Sequence, residues 1–380
     1  MSGTRFWLAL PAVIVACMVA LLLWWRPLDR LAVGAPPVEE AAIESVRLSS
    51  GLISLNLRTD GSEPVIVAQI QVDGAYRSFT AEPQRPSARL GLTRFDIPYP
   101  WIAGEAHHIA LITRTGAVIE HSIDVAQLTP ALDGASLGLL ASVGVLLGVV
   151  PVAIGLLAWP AMRSLSRNGL NFLLVLTVGL LAFLLIDTIG EGLEEAGETI
   201  GRLRGPVLFW VVMGLTAIGL LAVGRRGGAA PEGLRLAGFI ALGIGLHNLG
   251  EGLAVGAALA TGAAAMATYL VIGFTIHNVT EGIGIAAPVA ETRPSLWQFA
   301  GLAALAGLPA VAGTVIGTQA VGPLWISICF AVAAGAILQV VVEVTALMAR
   351  RAGFRHLLDP AVVGGAAAGL VTMYVTALLV

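Results

Sequence analysis

The sequence has no lysine, little charge and only two cysteines. Charged residues make up 12% of the 380 residues, against roughly 25% in an ordinary soluble domain, so a purely soluble protein is excluded. The net charge of −3 excludes the strongly basic surface that nucleic-acid binding requires. Cys17 and Cys329 both lie in apolar runs, which excludes a disulfide framework and a thiolate metal cluster. Hydrophobic residues, at 57% of the chain, indicate a membrane protein instead.

Nine apolar runs are long enough to cross a bilayer, which takes about 20 residues. The first run, 6–25, predicts an N-terminal transmembrane anchor within residues 1–30, because it is long and ends without a small-residue cleavage site. A cleaved signal peptide is the alternative. The other eight runs predict an all-α polytopic core over residues 133–380. Its predicted helices lie near 133–159, 169–189, 205–224, 235–260, 264–288, 297–319, 323–349 and 360–380.

Arginine placement predicts how the core is oriented. Arginines cluster in alternate connections, at 163–167, 225–235, 293 and 350–355. Because positive residues favour the cytoplasmic side, these connections are expected to be cytoplasmic. We therefore expect a multi-pass protein of the cytoplasmic membrane, with residues 26–132 and the C-terminus outside the cell.

The stretch between the anchor and the core is too polar to be embedded in lipid, and its pattern is that of strands. Period-two stretches at 52–57 and 65–72 predict β-strands. Asp73-Gly74 and Thr115-Gly116 predict hairpin turns. Residues 40–130 are therefore expected to form a small extracytoplasmic β-sandwich of immunoglobulin-like type.

A polar motif occurs twice inside the apolar runs of the core. The copies are His247-Asn248-Leu249-Gly250-Glu251-Gly252 and His277-Asn278-Val279-Thr280-Glu281-Gly282. A carboxylate at the centre of a membrane helix costs about 2.5–3.5 kcal/mol, so each glutamate requires a compensating partner. In both copies the histidine and the glutamate are four residues apart and share one helix face. The neighbouring asparagines can supply amide oxygens.

The spacing of the two copies predicts that they meet at one depth. Position 264 is the midpoint between Glu251 and His277 and also between His247 and Glu281. A turn near Gly262 would make an antiparallel hairpin in which each histidine lies level with the glutamate of the other helix. Glycines in the motifs are expected to let these two helices approach closely. Two imidazoles and two carboxylates form a ligand set that suits a borderline divalent cation such as Zn²⁺.

Two other interpretations of the motif are weaker. A single buried histidine–glutamate pair fits a packing role, but two copies at matched depth favour a ligand set. The metalloprotease pattern His-Glu-x-x-His is absent, and no serine–histidine pair lies at comparable depth. The chain is therefore not expected to be an enzyme.

Further polar residues are candidates for a cation path. Asp187 and Glu191 predict an acidic mouth that concentrates cations, although a solvated helix end fits them equally well. Glu343, one turn from Gln339, is another acid inside an apolar run. Three histidines of the β region are candidates for capturing metal before transport: His107, His108 and His121.

The doubled motif on the fourth and fifth helices of an eight-helix core resembles the ZIP (Zrt-, Irt-like) family of divalent-metal transporters. The resemblance covers residues 133–380, and residues 335–343 are similar to the family's seventh helix, where an acidic residue borders the transport path. It implies alternating access, a homodimer and core termini outside the cell. The anchor and the β region lie outside it. It also implies a primary site and a second site that shares the carboxylates, built from His247, Asn248, Glu251, His277, Asn278 and Glu281.

The expected function is therefore transport of a divalent transition metal into the cytoplasm, with metal ions and the lipid bilayer as partners. Zinc is the expected cargo, Fe²⁺, Mn²⁺ and Cd²⁺ are alternatives, and no resident cofactor is expected. A membrane-tethered metal-binding receptor and a metal exporter that uses the same site remain the alternative functions.

Overall fold

The computed structural model describes most of the chain. The described residues are 2–25, 39–60, 64–84, 90–123, 125–130, 133–226, 228, 231–260, 264–319, 322–352 and 360–378. The predicted turn at Gly262 lies outside them. The predicted anchor falls within helix α1 (Ser2–Trp25), on which Val13, Met18 and Trp24 are exposed.

Eight strands form two antiparallel four-stranded sheets between α1 and the remaining helices. The strand order is β1-β2-β6-β5 in one sheet and β4-β3-β7-β8 in the other. This confirms the prediction of a small β region on the N-terminal side. The strands are β1 (Ala41–Ser49), β2 (Leu52–Thr59), β3 (Val67–Val72), β4 (Ala75–Arg77), β5 (Thr80–Glu82), β6 (Leu92–Pro98), β7 (His107–Thr113) and β8 (Val118–Ile123).

The two sheets share one apolar core. Leu55 and Ile97 of the first sheet pack with Ile70 and Leu111 of the second, and all four are fully buried. This follows from the period-two pattern, because alternate side chains of a strand point to the same face. The sheets therefore form a two-layered unit, which we call the β domain.

Both predicted hairpin turns are present in the β domain. Asp73 and Gly74 join β3 to β4 with φ of 54° and 75°, the two positive angles of a type I′ turn. Thr115 and Gly116 lie in the turn between β7 and β8, closed by a 2.9 Å bond from the Thr113 amide to the carbonyl of Ala117.

Seven helical spans among the described residues are long and apolar enough to cross a membrane. They match seven of the eight core spans predicted from the sequence. The spans are Gly134–Met162, Asn168–Gly197, Gly205–Gly224, Gly233–Ala260, Ala267–Val289, Leu296–Gly317 and Pro323–Arg350. Six of them correspond largely to the single helices α5 (Arg167–Gly197), α6 (Gly205–Gly224), α7 (Gly233–Ala260), α8 (Ala264–Ala286), α9 (Leu296–Gly317) and α10 (Pro323–Ala352).

The first and last core spans differ from the regular helices that the sequence predicts. The first contains α2 (Gly134–Gly144), a π-helical segment, α3 (Val150–Leu156) and α4 (Trp159–Met162). The last is α11 (Pro360–Ala377), whose apolar part is shorter than the other spans.

The β domain contacts the helical core at two connections. Glu40, just before β1, accepts a 2.8 Å hydrogen bond from the amide of Gly201, between α5 and α6. The guanidinium of Arg47 on β1 lies 3.3 Å from the amide oxygen of Gln319, which follows α9. Both connections belong to the set opposite the arginine-rich one, so the β domain lies at that end of the helices.

Glycines allow close approach between helices, although not between the two motif helices. A Cβ built on Gly252 of α7 would lie 2.3 Å from the carbonyl oxygen of Ala310 on α9. A Cβ on Gly282 of α8 would lie 2.3 Å from that of Val152 on α3. The expectation that these glycines bring α7 and α8 together is therefore wrong. The physical reason is that each motif helix packs its glycine face against a different neighbour.

The α7–α9 contact predicts a stability difference between two glycines of α9. A Cβ on Gly313 would lie 2.2 Å from the carbonyl oxygen of Leu249, whereas one on Gly301 would have no neighbour within 4 Å. We expect Gly313→Ala to destabilise the protein by about 1–3 kcal/mol through overpacking. Gly301→Ala should have no such cost, because alanine is the better helix former. Thermal unfolding in detergent measures both, and equal midpoints would contradict the packing described.

Candidate metal centre

Three side chains of the doubled motif converge in the helical core. The Nε2 atom of His247 lies 3.2 Å from Oε1 of Glu251 on the same helix, α7. The Nε2 atom of His277, on α8, contacts the same carboxylate oxygen. The exposed fractions of the three side chains are 3%, 3% and 8%. Their ligand atoms all lie within 4.8 Å of one another, so they could hold a metal ion. We call them the His–Glu–His cluster.

The two motif copies meet at one depth, but not symmetrically. The contact between Glu251 and His277 confirms that one histidine lies level with the opposite glutamate. Glu281 is not part of the cluster: it is 3% exposed and borders a small cavity between α5, α7, α8 and α11. The geometry differs from the symmetric expectation because Gly282 packs against α3, which fixes how α8 is turned.

The two asparagines anchor the motif helices to other helices through their amide nitrogens. Asn248 donates a 3.0 Å bond from Nδ2 to the carbonyl of Ala306 on α9. Asn278 donates from Nδ2 to the carbonyl of Leu147 in the π-helical segment, also at 3.0 Å. An α-helical partner for that carbonyl would be the amide of residue 151, which is proline and has no N–H. Asn278 Nδ2 also bonds Oε2 of Glu251, at 3.0 Å.

Four buried oxygen atoms of the motifs accept no hydrogen bond from the described residues. They are Oδ1 of Asn248, Oδ1 of Asn278, and Oε1 and Oε2 of Glu281. Buried polar atoms in proteins almost always have a partner. The asparagine oxygens can only accept, and so can the Glu281 carboxylate when it is ionised, so a cation could serve as the partner of all four.

Thr188 of α5 is a contact of the cluster that the sequence analysis missed. Its hydroxyl lies 2.9 Å from Nδ1 of His247 and donates a 2.7 Å bond to the carbonyl of Leu184. Phe274 packs edge-on against the ring of His277, with centroids 5.5 Å apart. A threonine within an apolar run, one turn before the candidate Glu191, was the available signal for Thr188.

An acidic cavity of about 400 Å³ lies beside the cluster. Its lining includes Glu191, Glu194 and Glu195 of α5, together with Phe274, the residue that packs on His277. Glu191 therefore lines a cavity that is linked to the cluster through Phe274, and the acidic mouth stays a prediction. Asp187 is exposed on α5 and is not part of that lining.

The two path candidates on α10 lie together at the other end of the helices. Glu343 is fully buried and bonds Arg225, which follows α6, at 2.8 and 3.3 Å. This hydrogen bond raises the pKa of the Arg225 guanidinium. Gln339 is also fully buried, and neither atom of its amide group has a partner among the described residues. The sequence analysis found the acid but not its arginine.

The histidines of the β domain do not form a ligand group with one another in the described part of the chain. His107 is buried and bonds Asp73 through Nδ1 at 2.8 Å, while His108 lies 4.0 Å from Glu120. Burial raises the pKa of Asp73, but bonds from the His108 amide, His107 and Tyr99 outweigh it, so the pKa is lowered. The Asp73–His107 pair has the contacts of a structural hydrogen bond.

Comparisons with known proteins leave the family of the chain open. No protein-family model matches it, and no curated protein matches it. The site is therefore interpreted from its own geometry and chemistry.

The Glu343–Arg225 pair predicts a difference between adjacent arginines. We expect Arg225→Gln to lower the midpoint of thermal unfolding in detergent, because Arg225, although itself about half exposed, is the charged partner of the fully buried Glu343 carboxylate, and its removal leaves that charge uncompensated. Arg226→Gln makes the same charge change at an exposed neighbour and should leave the midpoint nearly unchanged. Adding Glu343→Gln to Arg225→Gln should recover most of the loss. Equal midpoints for the two single variants would show that the pair does not stabilise the fold.

Proposed function

We propose that the protein moves a divalent transition-metal cation across the membrane into the cytoplasm through the His–Glu–His cluster. Zinc is the first candidate, and Fe²⁺, Mn²⁺ and Cd²⁺ are the alternatives. The observation that carries the proposal is the buried donor set itself. Two imidazoles and one carboxylate meet on two consecutive apolar helices, and four buried oxygens of the same motifs accept no hydrogen bond from the described residues.

The chemistry of the donors supports a metal of this class. Histidine nitrogen and carboxylate oxygen are ligands of Zn²⁺, whereas Mg²⁺ and Ca²⁺ prefer oxygen alone. Structural zinc sites are closed by four protein ligands, whereas catalytic zinc sites have three and keep one position open. A cluster of three side chains would likewise leave one position of a zinc ion open, and transport requires ligands that bind an ion but also release it.

The acidic cavity supplies a route to the cluster. A recess lined by carboxylates raises the local concentration of cations, and Glu191, Glu194 and Glu195 line this one. The cavity includes the last two turns of α5, the helix whose following connection contacts the β domain. A cation would thus reach the cluster from the end of the helices at which the β domain lies.

The proposed orientation rests on the arginines and on the β domain together. The arginine-rich connections favour the cytoplasm, and the β domain contacts two connections of the opposite set. Residues 26–132 and the C-terminus are therefore outside the cell, with α1 as the anchor and α11 as the eighth core helix. The proposed direction is from the β domain to the cytoplasm.

The resemblance of the doubled motif to the ZIP family is part of the proposal, and from it come alternating access and a homodimer. The β domain is outside that resemblance. Its two sheets have the strand order of immunoglobulin domains, in which A-B-E-D faces C-F-G and the additional β4 lies beside β3. We assign it to the immunoglobulin-like class on that order.

The test is zinc uptake into proteoliposomes. We expect Glu251→Gln to reduce uptake by about tenfold or more, because the substitution removes the negative charge of the cluster. It also replaces one of the two oxygens that contact the histidines and Asn278 with an amide nitrogen. The matched control is Glu232→Gln, which neutralises an exposed carboxylate just before the same helix and should leave uptake unchanged. Both variants are first compared with the wild type for thermal unfolding. Wild-type uptake by a folded Glu251→Gln variant would refute the proposed site.

Two other outcomes would favour the alternative functions. Tight zinc binding to the wild-type protein without flux in either direction would indicate a metal-binding receptor. Flux that proceeds only from the side of the arginine-rich connections would indicate an exporter.

A further inference from the structure

The hydroxyl of Thr188 has a single proton, and the two heavy-atom distances around its oxygen indicate where that proton points. The oxygen lies 2.7 Å from the carbonyl of Leu184 and 2.9 Å from Nδ1 of His247. A carbonyl oxygen only accepts, so the hydroxyl proton must point towards Leu184. At His247 the hydroxyl can then act only as an acceptor, and the ring nitrogen must be the donor.

The two nitrogens of His247 consequently have different roles. Nδ1 carries a proton that it donates to Thr188. Nε2 is the nitrogen on the side of the cluster, 3.2 Å from Oε1 of Glu251. A neutral imidazole has one protonated and one free nitrogen, so a proton fixed on Nδ1 leaves the lone pair on Nε2.

We propose that Thr188 is a positioning residue that fixes the proton of His247 on Nδ1 and thereby directs the Nε2 lone pair into the cluster. The proposed function supplies the metal that this lone pair would bind. The position of the proton on Nδ1 does not depend on that function. Metal-ligating histidines commonly donate the other ring N–H to an oxygen acceptor, and such partners set both the tautomer and the ring orientation.

Burial makes Thr188 the partner on which Nδ1 depends. Thr188 is 0% exposed and His247 is 2% exposed, so solvent does not reach Nδ1 to replace a lost bond. Without the hydroxyl, a neutral His247 would gain by protonating Nε2, because that N–H could bond Glu251. The resulting Nε2–H would point into the cluster and exclude a cation from that nitrogen.

The position of Thr188 on α5 also joins the cluster to the acidic cavity. Glu191 and Glu195 follow Thr188 by three and seven residues, so the three residues share one helix face. Along that face, from the end of α5 towards its middle, lie the cavity carboxylates of Glu195 and Glu191 and then the Thr188 hydroxyl, which orients His247. The bond from Thr188 to His247 fixes α5 against α7 at the depth of the cluster.

The first experiment reads the proton directly and requires no metal. Protein labelled with ¹⁵N-histidine is reconstituted in lipid without metal, and His247 is assigned by its absence in His247→Gln. We expect the Nδ1 signal of a protonated nitrogen in the wild type, whatever the state of Nε2. A Nδ1 signal of an unprotonated nitrogen in the wild-type protein would overturn the proposal.

The second experiment asks whether the hydroxyl matters to the metal. Zinc binding is measured by equilibrium dialysis for Thr188→Val, which keeps the shape but removes the hydroxyl, and for Thr188→Ser, which keeps it. We expect the dissociation constant to rise about ten- to hundredfold in the valine variant, the usual effect of losing such a partner. The serine variant should bind as the wild type does.

The matched control is Thr314→Val on α9. Thr314 is as buried as Thr188, and its hydroxyl makes the same bond to the carbonyl four residues earlier, at 2.9 Å to Ala310. This control should bind zinc with unchanged affinity. Equal zinc affinity in Thr188→Val and the wild type, or equal losses in Thr188→Val and Thr314→Val, would overturn the positioning role.

The two experiments separate the inference from the proposed function. A wild-type protein that binds no zinc would refute the proposed function, while the Nδ1 signal would still decide where Thr188 holds the proton. Should Thr188→Val fail to fold, the wild-type spectrum and the serine variant decide the question.

Discussion

The arrangement of the helical core depends on one buried carboxylate, that of Glu251. One of its oxygens contacts the imidazoles of His247 and His277, and the other accepts from the amide of Asn278. A charged group inside a membrane protein is tolerated only where partners replace the water that it has lost. Among the described residues, its partners are side chains of the two motifs. The requirement to satisfy this carboxylate therefore holds α7 and α8 in register.

The surroundings of the cluster follow from the same requirement. Each asparagine donates from Nδ2 to a carbonyl of another helix, that of Ala306 or Leu147, and its own oxygen accepts no hydrogen bond from the described residues. Glu281 is buried without a hydrogen bond from the described residues. The amide N–H groups of the asparagines therefore hold helices together, while the asparagine and Glu281 oxygen atoms remain without hydrogen bonds from the described residues. This excess of acceptors over donors is the electrostatic feature on which the proposal of a cation at the site rests.

Much of the architecture could be predicted from the sequence, because hydrophobic runs and period-two stretches report directly on burial. The seven long helices, the β region and its hairpin turns belong to this part. The pairing of Glu251 with His277 could be predicted as well, since an antiparallel hairpin brings residues equidistant from its turn to one depth. Helix rotation could not be predicted, because the neighbour of each face is set by tertiary packing.

The orientation of each helix about its own axis accounts for the details that the sequence analysis missed. Gly282 faces α3 and not α7, and Glu281 consequently lies outside the cluster. Thr188 on α5 and Arg225 after α6 are distant in sequence from His247 and Glu343, and the local pattern does not show which residue each of them contacts. Single polar residues in apolar runs show that a partner must exist without showing which one it is.

The glycine contacts have a mechanical consequence for the cluster. Backbone-to-backbone contact fixes α7 to α9 and α8 to α3, so each motif belongs to a separate rigid pair of helices. The cluster lies at the interface between the α7–α9 pair and the α8–α3 pair, so a cation bound there would link the two pairs. Any sliding of one pair against the other would then change how tightly the cation is held, and by thermodynamic reciprocity the cation would resist that sliding by the same free energy.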